Sequence, residues 1–163
     1  MPQTNTPPHK HRLDSQRIEL LGHSFLIDQL IRGGIEVAQP LRDRGVDLVI
    51  YADLTSEVGK FISKPLQLKI ASKRVFSLSR KYEKIADLII AFVWHIDSEE
   101  EARVYAMTYA DAYLIAEQLG WTKTQSWAKG NYSNTRPGRK IEKLLEPFQM
   151  NSESWFGRLT SGS

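Results

Sequence analysis

The sequence contains no cysteine, which excludes a disulfide framework, a thiolate nucleophile, an iron–sulfur cluster and a Cys-type zinc site. Metal chemistry would need oxygen or imidazole ligands. His23 and His95 stand in no His-x-x-His or similar spacing and read as structural or surface residues. Long apolar runs are also missing. The longest, Ala86 to Trp94, is interrupted by Asp87 and falls far short of the roughly 20 residues that a membrane span requires. No apolar h-region follows Met1, so no secretory signal is expected and the cytoplasm is the expected location. There is no internal repeat. What remains is 163 residues with 41% hydrophobic and 25% charged side chains, the profile of one domain with an ordinary core.

The net charge is only +3, but its distribution is uneven. Residues 60–84 carry eight basic side chains against Glu83, a net +7, whereas residues 95–120 carry Arg103 against six acids, a net −5. Residues 121–150 return to +4. A basic centre and a basic tail around an acidic block suggest a polyanionic partner that meets part of the surface, with the acidic block facing away from its phosphates. A solvated lysine-rich face is the alternative.

Residues 1–12 are polar, proline-bearing and aperiodic, so they read as a disordered arm. Ile18, Leu21, Phe25 and Leu26 recur at helical spacing behind a cap at Asp14 or Ser15, and Gly33-Gly34 stops a first helix of about 14–33. Strands are expected at Ile35 to Ala38, at Val46 to Ala52 and at Lys64 to Ala71, where Leu66, Leu68 and Ile70 alternate with Gln67 and Lys69. A short basic helix from Ser79 to Ile85 leads to Leu88–Val93, an unbroken apolar run that suits a central strand buried on both faces. Beyond the acidic loop 97–101, a strand over 103–109 and a helix over 110–119 precede a polar loop over 121–136, in which Trp121 and Trp127 belong to the core. Pro137 introduces a last helix over 138–148, and the Ser-rich tail 151–163 reads as disordered. The expected fold is therefore an α/β single domain over 13–150, with a mixed central β-sheet flanked by helices.

The residues with chemical content are Glu19, Asp47, Gln67 and Lys69. Asp47 is the one charge inside a strand that otherwise reads as core, and burying a lone carboxylate costs several kcal/mol unless a donor or cation compensates it. If strands 46–52 and 64–71 are hairpin neighbours, Gln67 and Lys69, two apart and on one face, lie alongside Asp47. Glu19 shares a helical stripe with His23, Leu26 and Leu30. A hard divalent cation takes oxygen ligands, leaving places for water and substrate phosphate. Asp47, the Gln67 amide oxygen and a main-chain carbonyl near Leu68 could supply them, with Lys69 beside a phosphate under attack.

In this order, a helix with Glu19, then RGVDLVI (Arg44 to Ile50), PLQLKIA (Pro65 to Ala71), a helix and an apolar strand, the chain resembles the restriction-endonuclease-like PD-(D/E)XK phosphodiesterase superfamily over roughly residues 14–94. Small intron-encoded homing endonucleases of that superfamily are among the similar members. The resemblance implies an αβββαβ core, a Mg²⁺-dependent endonuclease (Mn²⁺ as substitute) acting on duplex or branched DNA, and a homodimer or higher homo-oligomer. It implies catalytic roles for Asp47, Gln67, Lys69 and Glu19, with Asp47, Gln67 and Glu19 as metal ligands. The family usually has Asp or Glu where this chain has Gln67. An amide gives an oxygen but no charge, which implies weaker metal binding, one metal instead of two, or loss of catalysis.

Just beyond the catalytic strand, Lys73, Arg74, Arg80 and Lys81 would flank a scissile phosphate, and Lys123, Lys129 and Arg136 lie in the basic, aromatic loop. Less specific readings remain. Asp47 could pair with Arg44 at a strand end while Gln67 and Lys69 face water on an edge strand. The domain could be a catalytically inactive nucleic-acid-binding or assembly module, or a protein scaffold that uses the acidic block.

Overall fold

The structure is a computed structural model and describes residues 13–52 and 61–161. The N-terminal arm expected over 1–12 lies outside the described residues, as does most of the polar connection that carries Gly59. Helix α1 (Ser15–Arg32) starts at Asp14, whose carboxylate accepts the Arg17 N–H at 2.9 Å, and ends at Gly33. Strands β1 (Ile35–Ala38), β2 (Leu48–Ala52) and β3 (Ser63–Ile70) follow as an antiparallel meander. The expected hairpin partnership of the second and third strands is present.

Strand β4 (Phe76–Ser79) comes next, then a 3-10 turn (Arg80–Lys84), then β5 (Ile89–Trp94), which lies parallel to β3. The short basic helix expected from Ser79 to Ile85 is present as this 3-10 turn, and before it stands a strand the sequence did not predict, since β4 pairs with a distant strand, β7 (Asn131–Asn134), in a separate two-stranded sheet. β6 (Arg103–Thr108) returns antiparallel to β5 and runs directly into α2 (Tyr109–Gln118) through a capping box between Thr108 and Asp111. The segment expected as a polar loop over 121–136 holds a 3-10 turn (Trp121–Lys123), the short helix α3 (Gln125–Ala128) and β7. Trp121 and Trp127 are buried there. Helix α4 (Arg139–Leu145) and the two-residue strand β8 (Gln149–Met150) complete a six-stranded sheet of order β1-β2-β3-β5-β6-β8.

The sheet is mixed and covered on both sides. β5 is buried along its whole length, and its pleat sends Ile89, Ala91 and Val93 to the face under α1 and Ile90, Phe92 and Trp94 to the face under β4, α2 and α4. Among the described residues, no helix is long and apolar enough to cross a membrane.

The expected disordered tail is a correction. After a 3-10 turn, residues Trp155–Thr160 form α5, which buries Trp155 and Leu159 completely against α1 and the sheet. The Trp155 indole N–H donates to Gln29 Oε1 at 2.8 Å. Two glycines allow close approaches to α1, Gly33 at its C-cap for the segment before α5 and Gly22 within it for β3. A Cβ at Gly33 would strike the Ser152 carbonyl, and one at Gly22 would strike the Ile70 side chain of β3. The domain therefore extends past residue 150.

Trp155→Ala should cost about 3–5 kcal/mol, as expected for removing a fully buried indole. Gly22→Ala should destabilise by about 1–3 kcal/mol despite alanine's better helix propensity, because the methyl group overpacks the α1–β3 contact. Urea unfolding followed by far-UV circular dichroism measures both.

Candidate functional site

The ladder between β2 and β3 has its last pair at Leu48 and Leu66. Asp47 N still donates to Leu66 O at 2.9 Å, but the next donor, Leu68 N, meets the Asp47 carboxylate, with Oδ2 at 2.6 Å. A side chain thus takes over where the backbone of β2 leaves the sheet. The parting strands open a cleft of about 570 Å³, lined by Asp47, Gln67 and Lys69 with Glu19 and His23 of α1 and Ser77 of β4.

Gln67 is 7% exposed, and β3 lies between β2 and β5, so this is an interior strand and not the wet edge of the less specific reading. Its amide nitrogen donates to Asp47 Oδ2 at 2.5 Å and to Leu68 O at 3.1 Å. Asp47 is therefore compensated by the Leu68 N–H and the Gln67 amide, not by Arg44. Burial pushes the Asp47 carboxyl above the usual carboxylate range. The Leu68 hydrogen bond opposes that shift, Asp43 adds to it, and Lys69 and His23 oppose it.

Lys69 shares the face of Gln67 but points further along the cleft. Its ammonium donates to the Tyr82 hydroxyl at 2.8 Å and lies 5.1 Å from the centroid of the same ring. Tyr82 is almost fully buried in the 3-10 turn, with Lys81 over its ring at 5.0 Å. Sequence reasoning missed Tyr82, and the only signal was an aromatic inside the basic stretch RKYEK.

Glu19 occupies the same cleft from the first turns of α1, one turn before Gly22 docks on Ile70. Its side chain is exposed. Among the described residues, no three His, Asp or Glu side chains stand close enough to hold a metal ion. A cation would depend on Asp47 together with amide and carbonyl oxygens. That donor set fits a hard ion. The Gln67 amide nitrogen already bridges Asp47 Oδ2 and Leu68 O. The amide turned over puts Oε1 at that point, where three oxygens face one another and a cation, or a proton on Asp47, would relieve their repulsion.

The basic residues do not form one patch. Lys73, Arg74 and Arg136 line a separate cleft with His95 and Glu100. Arg74 is paired with Glu100 at 3.3 Å and with Glu142 of α4, so the acidic block reaches a basic side chain instead of facing away from it. Arg80, Lys81, Lys123 and Lys129 are exposed. Arg80 and Lys81 start the turn that carries Tyr82, while Lys123 and Lys129 flank α3.

A carboxyl raised by burial is more stable protonated in the folded chain than in the unfolded one, so its ionisation weakens the fold as pH rises through the folded pKa. Asp47→Asn should accordingly be more stable than the parent at pH 7. The advantage should shrink as pH falls through that pKa, and thermal melts across pH 3–8 measure it. Comparison of the chain with family models, with curated proteins and with solved structures finds no match, so the arrangement of Asp47, Gln67, Lys69 and Glu19 is weighed on its own geometry.

Proposed function

We propose that the protein is a metal-dependent endonuclease that hydrolyses phosphodiester bonds in DNA at the cleft between β2 and β3. The observation that carries this reading is the meeting of Asp47, Gln67 and Lys69 on one face of two paired strands, where the strands part and open to solvent. The resemblance of the same residues to the PD-(D/E)XK pattern supports it. Mg²⁺, or Mn²⁺ in its place, bound by Asp47, Gln67 and the Leu68 carbonyl, would supply Lewis-acid charge to the phosphate.

The chain's own residues do the rest. The Leu68 N–H fixes the Asp47 carboxylate from the backbone, so its second oxygen is aimed without a side-chain search. Lys69, steered by Tyr82, brings positive charge to the oxygens of the phosphorus being attacked by water. As the water oxygen bonds to phosphorus and gives a proton to solvent, the ester bond opposite it breaks and the leaving oxygen takes a proton from solvent. Glu19 borders the same space and adds the second negative charge that Gln67 lacks. One such site faces one strand, so cutting a duplex calls for a symmetric homodimer or higher homo-oligomer.

A second reading has one observation in its favour. Gln67 donates to Asp47 and Lys69 is held by Tyr82, so the polar groups are satisfied by one another. This suits a catalytically inactive nucleic-acid-binding or assembly module.

Purified protein with Mg²⁺ or Mn²⁺ should nick or cut duplex or branched DNA, and Lys69→Ala should lower the rate by about 10²–10³-fold with an unchanged melting temperature. No cleavage of duplex, branched or single-stranded substrate with either metal overturns the nuclease reading. Gln67→Glu should tighten Mn²⁺ binding in calorimetry, and absence of Mn²⁺ binding in both forms favours the inactive module.

A further inference from the structure

Across the 71–75 loop from Lys69 lies a second cleft, of about 380 Å³, with Lys73, Arg74 and Arg136 among its walls and His95 buried within it. Its one acidic lining residue among the described residues is Glu100. The Glu100 carboxylate stands 3.3 Å from Arg74 Nη2 and 3.4 Å from His95 Nε2. His95 is 4% exposed, its backbone is left-handed at φ 64°, and Nε2 has no hydrogen-bond partner. An imidazole held in that sparsely populated conformation with an unpaired buried nitrogen is costly, and such outliers gather at binding sites.

The two acids that meet Arg74 differ in standing. Glu142 projects from α4, its side chain is 25% exposed, and it pairs with Nη1. Glu100 belongs to a loop, is 53% exposed, and pairs with the Nη2 that faces the cleft. Exposed pairs of this second kind are weak. Of the two carboxylates, that of Glu100 is the more exposed and the one a competing anion would displace.

We propose that this cleft receives a phosphate group in the place now taken by the Glu100 carboxylate, with Arg74, His95 and the hydroxyls of Ser72, Ser98 and Thr135 as donors. Displacing Glu100 also leaves Lys73, Arg74 and Arg136 in a cleft with no other acidic lining residue among the described residues, which suits a phosphate oxyanion. The source we assign is the nucleic-acid backbone, and only that assignment rests on the nuclease reading. Arg74 is five residues beyond Lys69, a span of at most about 18 Å. A DNA strand advances about 3.4 Å per nucleotide, so a phosphate within about five nucleotides of the scissile one falls on Arg74. The acidic loop then acts as a competitor that a bound strand must push aside.

The test uses the full chain in EDTA, so that nothing is cut. Calorimetry measures inorganic phosphate, anisotropy measures a labelled 20-base-pair duplex, and NMR follows the His95 imidazole, assigned by its loss in His95→Asn. Asparagine tolerates the left-handed backbone there. Glu100→Gln should tighten both ligands by about two- to fivefold, the equivalent of one exposed ion pair. Glu101→Gln, the same charge change one residue on, should leave both nearly unchanged, Arg74→Ala should weaken both, and the His95 signal should move with phosphate. Equal tightening by Glu101→Gln, or an unmoved His95 signal, overturns the proposal. Tightening for inorganic phosphate without DNA overturns the backbone assignment and gives the cleft to a small phosphate. None of these readouts needs cleavage, so an inactive parent protein counts against Lys69 and Asp47 and leaves this result standing.

Discussion

Everything at the first cleft depends on how β2 and β3 separate. Two strands that part inside a covered sheet leave backbone donors without partners, and a buried N–H without an acceptor is costly. Asp47 removes that cost by accepting the Leu68 N–H with its side chain. The same carboxylate thereby has its position fixed by the sheet and its solvation reduced by the surrounding walls. A structural need at the strand fork and a chemical opportunity in the cleft are met by one residue. The cleft can open without loosening the sheet because β3 keeps its other partner, β5, over four further register pairs beyond Leu66.

Electrostatics sharpens the role of Gln67. A second carboxylate at this position would stand beside Asp47 with Lys69 already engaged by Tyr82, and like charges that close disfavour joint ionisation. The amide avoids the conflict by donating to Asp47. The polar groups are therefore satisfied by one another, at the expense of negative charge in the cleft. Tyr82 does the same for Lys69, holding an ammonium away from the core with a hydroxyl and a ring face.

Much of this was legible in the sequence because it is local. The alternation of Leu66, Leu68 and Ile70 against Gln67 and Lys69 is a period of two that any strand must show, and Asp47 stood out as a charge in an apolar strand. The unbroken run that became β5 announced burial on both faces. The failures are non-local. Trp155 and Leu159 are a few apolar residues in a polar stretch, and only α1 and the sheet, distant in sequence, give them a surface to cover. Strand β4 was not foreseen because its partner β7 lies some 50 residues further along the chain. His95 carries no periodic signal, because its conformation comes from the sharp exit of β5 into the acidic loop.

The pairing of β4 with β7 also orders events in time. The turn bearing Tyr82 is tied down by Arg80 N donating to Gly130 O at 2.8 Å and by Ser79 facing Asn131. A chain leaving the ribosome can register β2 with β3, and so bring Asp47 to Gln67, once residue 70 has emerged. The clamp that seats Lys69's partner is not synthesised until some 60 residues later, an interval of several seconds at bacterial or eukaryotic elongation rates of about 5–20 residues per second. The half-made protein thus carries its acid and its amide in place while its lysine lacks a fixed address.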